Sequence, residues 1–234
     1  MAAARWFSLL PLAGALLAGC VASGQASADG RVSLPDPRLD PAPTSPGEQV
    51  AVFAGGCFWG VEAVFDHVRG VRKAWSGYAG GEAGTATYEQ VSGGDTGHAE
   101  SVKLIYDPRQ VSYGQLLKVF FSVAHDPTQL DRQGPDVGSQ YRSEVFYTTA
   151  QQQRVATAYI AQLGAAHAFE DPIVTRVEPL KGFYVAEAYH QNFAALHPDD
   201  AYIAYNDAPK VAHLKQWLPT LYRPQQQQVD VRLH

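Results

Sequence analysis

Cysteine is scarce in this chain: Cys20 and Cys57 are the only two among 234 residues. That count excludes a disulfide framework and a multi-cysteine zinc site. Positive charge is not in excess either. Eighteen Lys and Arg against 23 Asp and Glu leave a net charge of −5. A polyanion partner needs a basic face, so no nucleic-acid binding is expected. The eight histidines include no HExxH motif and no His-rich tract. His98, His125, His190 and His197 lie in separate segments without ligand spacing, and they read as hydrogen-bonding groups rather than as metal ligands. No internal repeat is present. The apolar run from Leu9 to Leu17 is interrupted by Pro11 and is too short to cross a bilayer as a helix.

What is present is the composition of a globular domain, 46% hydrophobic and 18% charged. The N-terminus reads as a targeting segment, with Arg5 ahead of the apolar run. It ends in Leu17-Ala18-Gly19-Cys20, which resembles a bacterial lipobox. That resemblance implies cleavage before Cys20 and lipidation of its sulfur. Val21 lacks the Asp of an inner-membrane retention signal, so the outer membrane is favoured. The alternative is an ordinary signal peptide cut near Ala22 or Ala28. Val21 to Gly47 carries Pro35, Pro37, Pro41, Pro43 and Pro46 and reads as a disordered or partly extended linker. As a coil, its 27 residues would reach about 30 Å.

From residue 48 strands and helices interleave. Val50 to Ala54 reads as a buried strand. Phe58, Val61, Phe65 and Val68 form the apolar stripe of a helix. Val71 to Ser76 reads as a second strand, and Glu100 to Tyr106 as a third with one buried face. Ser112 to Gln115 and Thr149 to Gln152 are two capping boxes, each opening a helix. Ser143 to Tyr147 and Ile173 to Glu178 read as further strands, and Lys210 to Leu218 as a short helix stopped by Pro219. From Val185 onward the pattern is weak. The alternation predicts an α/β or α+β two-layer sandwich with helices on one side of a mixed sheet, and α+β is the expected class.

The stretch Gly55-Gly56-Cys57-Phe58-Trp59-Gly60 places a cysteine where a strand turns into a helix. Two glycines permit the tight turn. Free N–H groups at a helix start stabilise a thiolate, so Cys57 is expected to ionise below about 8.5. The other reading of Cys57 is a small buried hydrophobe. Phe58 and Trp59 are neighbours about 100° apart on a helix, so both cannot face the core. Phe58 lies on the stripe, which leaves Trp59 the more exposed.

This hexapeptide resembles the signature of the peptide methionine sulfoxide reductases of type A. Gly97-His98-Ala99-Glu100, His125-Asp126-Pro127-Thr128, Gly134 to Ser143 and Ala188-Tyr189-His190-Gln191-Asn192 are similar to further stretches of that family, in order. The resemblance implies a ferredoxin-like sheet. It also implies reduction of methionine (S)-sulfoxide, in proteins, peptides and the free amino acid. Cys57 would be the nucleophile, passing through a sulfenic acid, and Glu100 the acid. Burial would raise the Glu100 pKa and keep it protonated. Tyr88, Asp136 and Tyr141 would form the polar pocket, with Phe58 and Trp59 as walls for the substrate methyl. No cofactor or metal is implied beyond an external thiol reductant, such as a thioredoxin-like protein or dithiothreitol. Family members usually carry resolving cysteines after the nucleophile; this sequence has none, which leaves the usual disulfide relay without its second thiol.

Two other readings stand beside this one. A cysteine peroxidase or an acyl-transfer hydrolase could use the same thiol, the latter with a His base beside it. A lipid-anchored binding domain would leave Cys57 inert. The expected organisation is a signal peptide over 1–19, a lipidated Cys20 and linker over 20–48, a reductase domain over 49–222 and a polar tail over 223–234. The expected product is a monomer tethered to the cell envelope, facing the periplasm, that repairs oxidised proteins.

Overall fold

The computed structural model describes Met1, residues 34–43 and residues 46–230. The expected signal peptide, Cys20 and the first part of the linker lie outside the described residues. Among the described residues no helix is long and apolar enough to cross a membrane.

The chain forms β1 (Gln49–Gly55), α1 (Phe58–Asp66), β2 (Val71–Ala79), the short α2 (Tyr88–Val91), β3 (Ala99–Tyr106) and α3 (Tyr113–Val119). A small hairpin, β4 (Arg132–Gln133) and β5 (Asp136–Val137), precedes β6 (Ser143–Tyr147). Then come α4 (Ala150–Ala165), β7 (Arg176–Pro179), β8 (Phe183–Val185), α5 (Phe193–Leu196) and α6 (Ala208–Trp217). Among the described residues six strands make one sheet in the order β7-β6-β1-β3-β2-β8, in which only the β6–β7 pair is parallel, so the sheet is mixed. Its centre, β6-β1-β3-β2 with α1 and α3 as the crossovers, is the βαββαβ order of a ferredoxin-like sheet. The expected α+β sandwich is present.

The main core lies between the sheet and the helices. Phe53 of β1 stacks on Phe65 of α1 at 5.5 Å and on Phe120, just past α3, at 4.9 Å between centroids. Val61, Val64, Phe65 and Val68 are all buried there. A smaller cluster of Val52, Ala54, Ala79, Ala99 and Phe146 covers the opposite face.

Ser112 forms both bonds of its capping box: its hydroxyl accepts from the Gln115 amide, and the Gln115 side chain accepts from the Ser112 amide. Thr149 forms only half of one, accepting from the Gln152 amide at 3.2 Å. The Gln152 carboxamide turns instead to the Thr148 amide at 2.8 Å and to the Val50 carbonyl at 2.6 Å. It thereby ties α4 to β1.

Two segments expected to be loose are docked. Residues 34–43 are extended but held along α3 and α4. The Tyr159 hydroxyl donates to the Pro35 carbonyl at 2.9 Å, and Gln162 donates to the Asp36 carbonyl at 2.8 Å. Asp40 accepts from the Gly114 amide at 2.9 Å and from the Ser112 hydroxyl, adding a carboxylate to the N-terminus of α3. Prolines keep this stretch from forming a helix or strand, yet its carbonyls are satisfied by side chains of α4. The expected polar tail is also tied to the domain. Arg223 and the Gln227 amide donate to the Asp66 carbonyl, Gln226 donates to the Asp66 carboxyl, and Val229 and Asn192 exchange two hydrogen bonds.

Candidate active site

The turn from β1 into α1 is built on backbone that only glycine supplies. Gly56 has φ +89°, and a Cβ there would lie 2.5 Å from Gln133; one on Gly55 would lie 2.9 Å from the Phe120 ring. The chain then delivers Cys57 to the N-cap of α1, where its side chain is 9% exposed.

The helix start does not make this thiol acidic. Burial pushes the Cys57 pKa well above its ordinary value, and the carboxylates of Glu100 and Asp207 push it further. The Trp59 amide and Lys210 oppose them and do not win. The expectation of a depressed pKa is therefore overturned: a nearly closed site removes more hydration from a thiolate than one amide restores. At neutral pH the substrate-free protein holds a thiol.

Glu100, second in β3, is buried beside it. Its Oε2 accepts from the Phe58 amide at 3.0 Å. Burial raises its pKa to about 8 against that hydrogen bond, with Asp136 adding to the rise. Glu100 is therefore a neutral acid at pH 7, as its sequence position suggested.

Tyr88 at the start of α2 and Tyr141 at the end of a 3₁₀ turn lie within electrostatic reach of both Cys57 and Glu100. Burial and those charges push both phenols up, so both stay protonated donors. Asp136, in β5, accepts from the Tyr202 hydroxyl at 2.5 Å. Trp59 is half-buried: it stacks on Phe193 at 3.8 Å and donates to His190 Nδ1 at 3.2 Å. Phe58 is buried against Tyr78 and His190, so its ring supports the pocket from behind and its amide holds Glu100.

The weakly patterned C-terminal third supplies residues that sequence reasoning missed. Glu187 accepts from the Tyr88 amide and the Tyr78 hydroxyl, both at 2.9 Å. Gln191 clips this loop to β2 through the Ser76 amide and carbonyl. Tyr202 meets Trp59 edge-on. Asp207 and Lys210 pair at 3.0 Å beside α1.

The histidines are engaged elsewhere. His125 bonds the Phe120 carbonyl and the Ser143 hydroxyl, and burial brings it down to about 4. His190 accepts from Trp59. Neither serves the thiol as a base. No cluster of three or more metal-ligating side chains occurs among the described residues. A thiol beside a protonated carboxylic acid, walled by phenols and an indole, is the apparatus of a thiol-dependent oxidoreductase.

The family model described as peptide methionine sulfoxide reductase matches residues 49–220. A relative from Mesorhizobium japonicum, peptide methionine sulfoxide reductase MsrA 2, is 58% identical over 178 residues, which is 76% of this chain and 91% of the relative. One of the same name from Synechocystis is 53% identical over 186 residues, 78% of this chain and 87% of the relative. Among solved structures, reduced Mxr1 from Saccharomyces cerevisiae superposes with a TM-score of 0.61 at 30% identity, covering 76% of this chain and 93% of that one. The chain belongs to the peptide methionine sulfoxide reductase family, type A, and is an oxidoreductase.

Proposed function

We propose that this protein reduces the S-epimer of methionine sulfoxide, in proteins, peptides and the free amino acid, through a sulfenic acid on Cys57. The observation that carries this reading is Cys57 and Glu100 buried in one site, with Glu100 Oε2 3.0 Å from the amide of Phe58, the residue after Cys57. Glu100 gives its proton to the sulfoxide oxygen, which would otherwise leave as oxide. The carboxylate so formed accepts the Cys57 proton, and Sγ attacks the sulfoxide sulfur to form an Sγ–S bond. The hydroxyl then passes from that sulfur to Sγ as the S–O and Sγ–S bonds break, and methionine departs with the electron pair on its sulfur. Glu100 is then protonated again, and Cys57 has risen one rung of the oxidation ladder. Tyr88 and Tyr141 hold the oxygen, with Tyr202 keeping Asp136 in place at the pocket edge. Trp59 faces the methyl group.

An external thiol, from a thioredoxin-like protein or dithiothreitol, then attacks the sulfenic sulfur and releases water. A second thiol frees Cys57 from the mixed disulfide. The only other cysteine in the sequence is Cys20, and a lipidated Cys20 is a thioether that cannot exchange. The test is one turnover without reductant, followed by dimedone and mass spectrometry. One methionine per chain and a dimedone adduct on Cys57 are expected, with the S-epimer alone consumed. A Cys20–Cys57 disulfide would end this reading of recycling, and consumption of the R-epimer would end the stereochemical one.

Leu17-Ala18-Gly19-Cys20 supports a lipid-anchored protein facing the periplasm, and Val21 in place of a retention Asp favours the outer membrane. Cell fractionation checks this. Wild type belongs in the membrane and Cys20→Ala in the soluble or unprocessed fraction; a wholly soluble wild type rejects the anchor.

A further inference from the structure

We propose that the Asp207–Lys210 pair tunes how readily Cys57 releases its proton, on top of burial and Glu100, with Asp207 disfavouring the thiolate and Lys210 as its counterweight. Asp207 ends a π-helical turn over Ile203–Asp207 and opens α6. Its side chain is fully buried, Oδ1 accepts from Lys210 Nζ at 3.0 Å, and Oδ2 has no hydrogen-bond partner. The pair presses on the first turn of α1 through a gap that only glycine leaves. A Cβ on Gly60 would lie 2.0 Å from Asp207 Oδ1 and 2.8 Å from Lys210 Nζ. Gly60 follows Cys57 by three residues, so the pair sits one helical turn from the thiol, where buried charges act with little screening.

Other groups face the same space. Cys57 faces Glu100 from β3, the Trp59 amide, and the phenols of Tyr88, Tyr141 and Tyr202. Glu100 carries little charge below about 8, and the phenols stay neutral. Asp207 in turn faces Lys210 and Asp136. Burial and Glu100 weigh on Cys57 more than either member of the pair, and burial also raises the Asp207 carboxyl against the pull of Lys210. Asp207 is the stronger influence on the thiol of the two. Asp207 touches no reacting atom and acts through Cys57. A thiol held protonated is a poor nucleophile toward stray oxidants, and it yields its proton only when Glu100 has given up its own. That consequence rests on Cys57 being the reacting thiol; the charge effect does not.

Iodoacetamide alkylation of Cys57 in the full chain, followed by peptide mass spectrometry from pH 6 to pH 11, tests the charge effect directly. The readout is the thiol itself, so it stands whether or not a sulfoxide is turned over. Asp207→Asn keeps the shape and leaves Lys210 unbalanced, and its alkylation midpoint should fall by about one pH unit or more. The double variant Asp207→Asn, Lys210→Met leaves no buried unpaired charge and serves if the single variant does not fold. Its midpoint should lie between Asp207→Asn and wild type, because the stronger of two opposed influences has been removed along with the weaker. A folded variant of either kind whose profile matches wild type, or moves upward, overturns the proposal.

Discussion

Replacing Glu100 with Gln should make the enzyme slower and the fold more stable, and the stabilisation should depend on pH. Gln keeps the shape and can still accept from the Phe58 amide, as Glu100 does at 3.0 Å. It cannot give a proton. Losing a positioned general acid should slow single turnover by roughly 10²–10⁴. The stability argument follows from the rise of Glu100 from an ordinary 4.5 to about 8. A folded pKa above the unfolded one gives stability that is fully present below about 4.5 and is lost as pH rises through about 8. Converted at about 1.36 kcal/mol per pH unit, the whole loss is about 5 kcal/mol, of which about 3 kcal/mol is incurred by pH 7. Gln has no ionised form to desolvate. Relative to wild type the variant should gain nothing at pH 4 and about 3 kcal/mol at pH 7, or roughly 5–10 °C in Tm for a domain of this size. Thermal melts at the two pH values, with single-turnover rates on the same samples, check both halves. Equal Tm differences at pH 4 and pH 7 would refute the electrostatic argument. A wild-type single-turnover rate would place the proton source elsewhere.

Cys57→Ser should abolish reductase activity, since a serine hydroxyl offers no thiolate; any retained turnover in a steady-state assay contradicts the nucleophile assignment. Trp59→Ala removes the stack on Phe193, and it should raise KM about tenfold or more, with a smaller loss in kcat, if the indole binds the methyl group. The double variant Tyr88→Phe, Tyr141→Phe should lower kcat by roughly 10²–10³ if the phenols hold the oxygen, which steady-state kinetics would show. Asp66 is buried and raised to about 8, so its contribution to stability is also lost as pH rises through that range; Asp66→Asn should flatten the fall in Tm between pH 5 and pH 9 and leave turnover near wild type.

The sequence made the front half of the site legible and hid the back half, for a physical reason in each case. Gly55-Gly56-Cys57 sits between a short, continuous apolar run, buried on both faces as β1, and a helix with a clear 3.6-residue stripe, so the turn between them could be located to the residue. Ser112 and Gln115 could be paired because a capping box is a local exchange over three residues. Asp207, Tyr202 and Glu187 belong to the 3₁₀ turns, π turns and short strands after residue 180, where no face repeats. Glu187 is tied to Tyr78 and Tyr88, 109 and 99 residues away, and Tyr202 to Asp136 across 66 residues, while Asp207 pairs locally with Lys210 and comes near Cys57 only through the fold. The raised Cys57 pKa escapes the sequence for the same reason. The local signal, a helix N-terminus, is present, but burial and the carboxyls of Glu100 and Asp207 outweigh it, and they come from distant chain. The docked stretch at 34–43 failed differently. Its composition says that its side chains bury little, and that is true; it is held by its own carbonyls and by Asp40, through Tyr159, Gln162 and the start of α3. Composition measures what side chains can do. It does not register a backbone that helices already formed can hydrogen-bond in place.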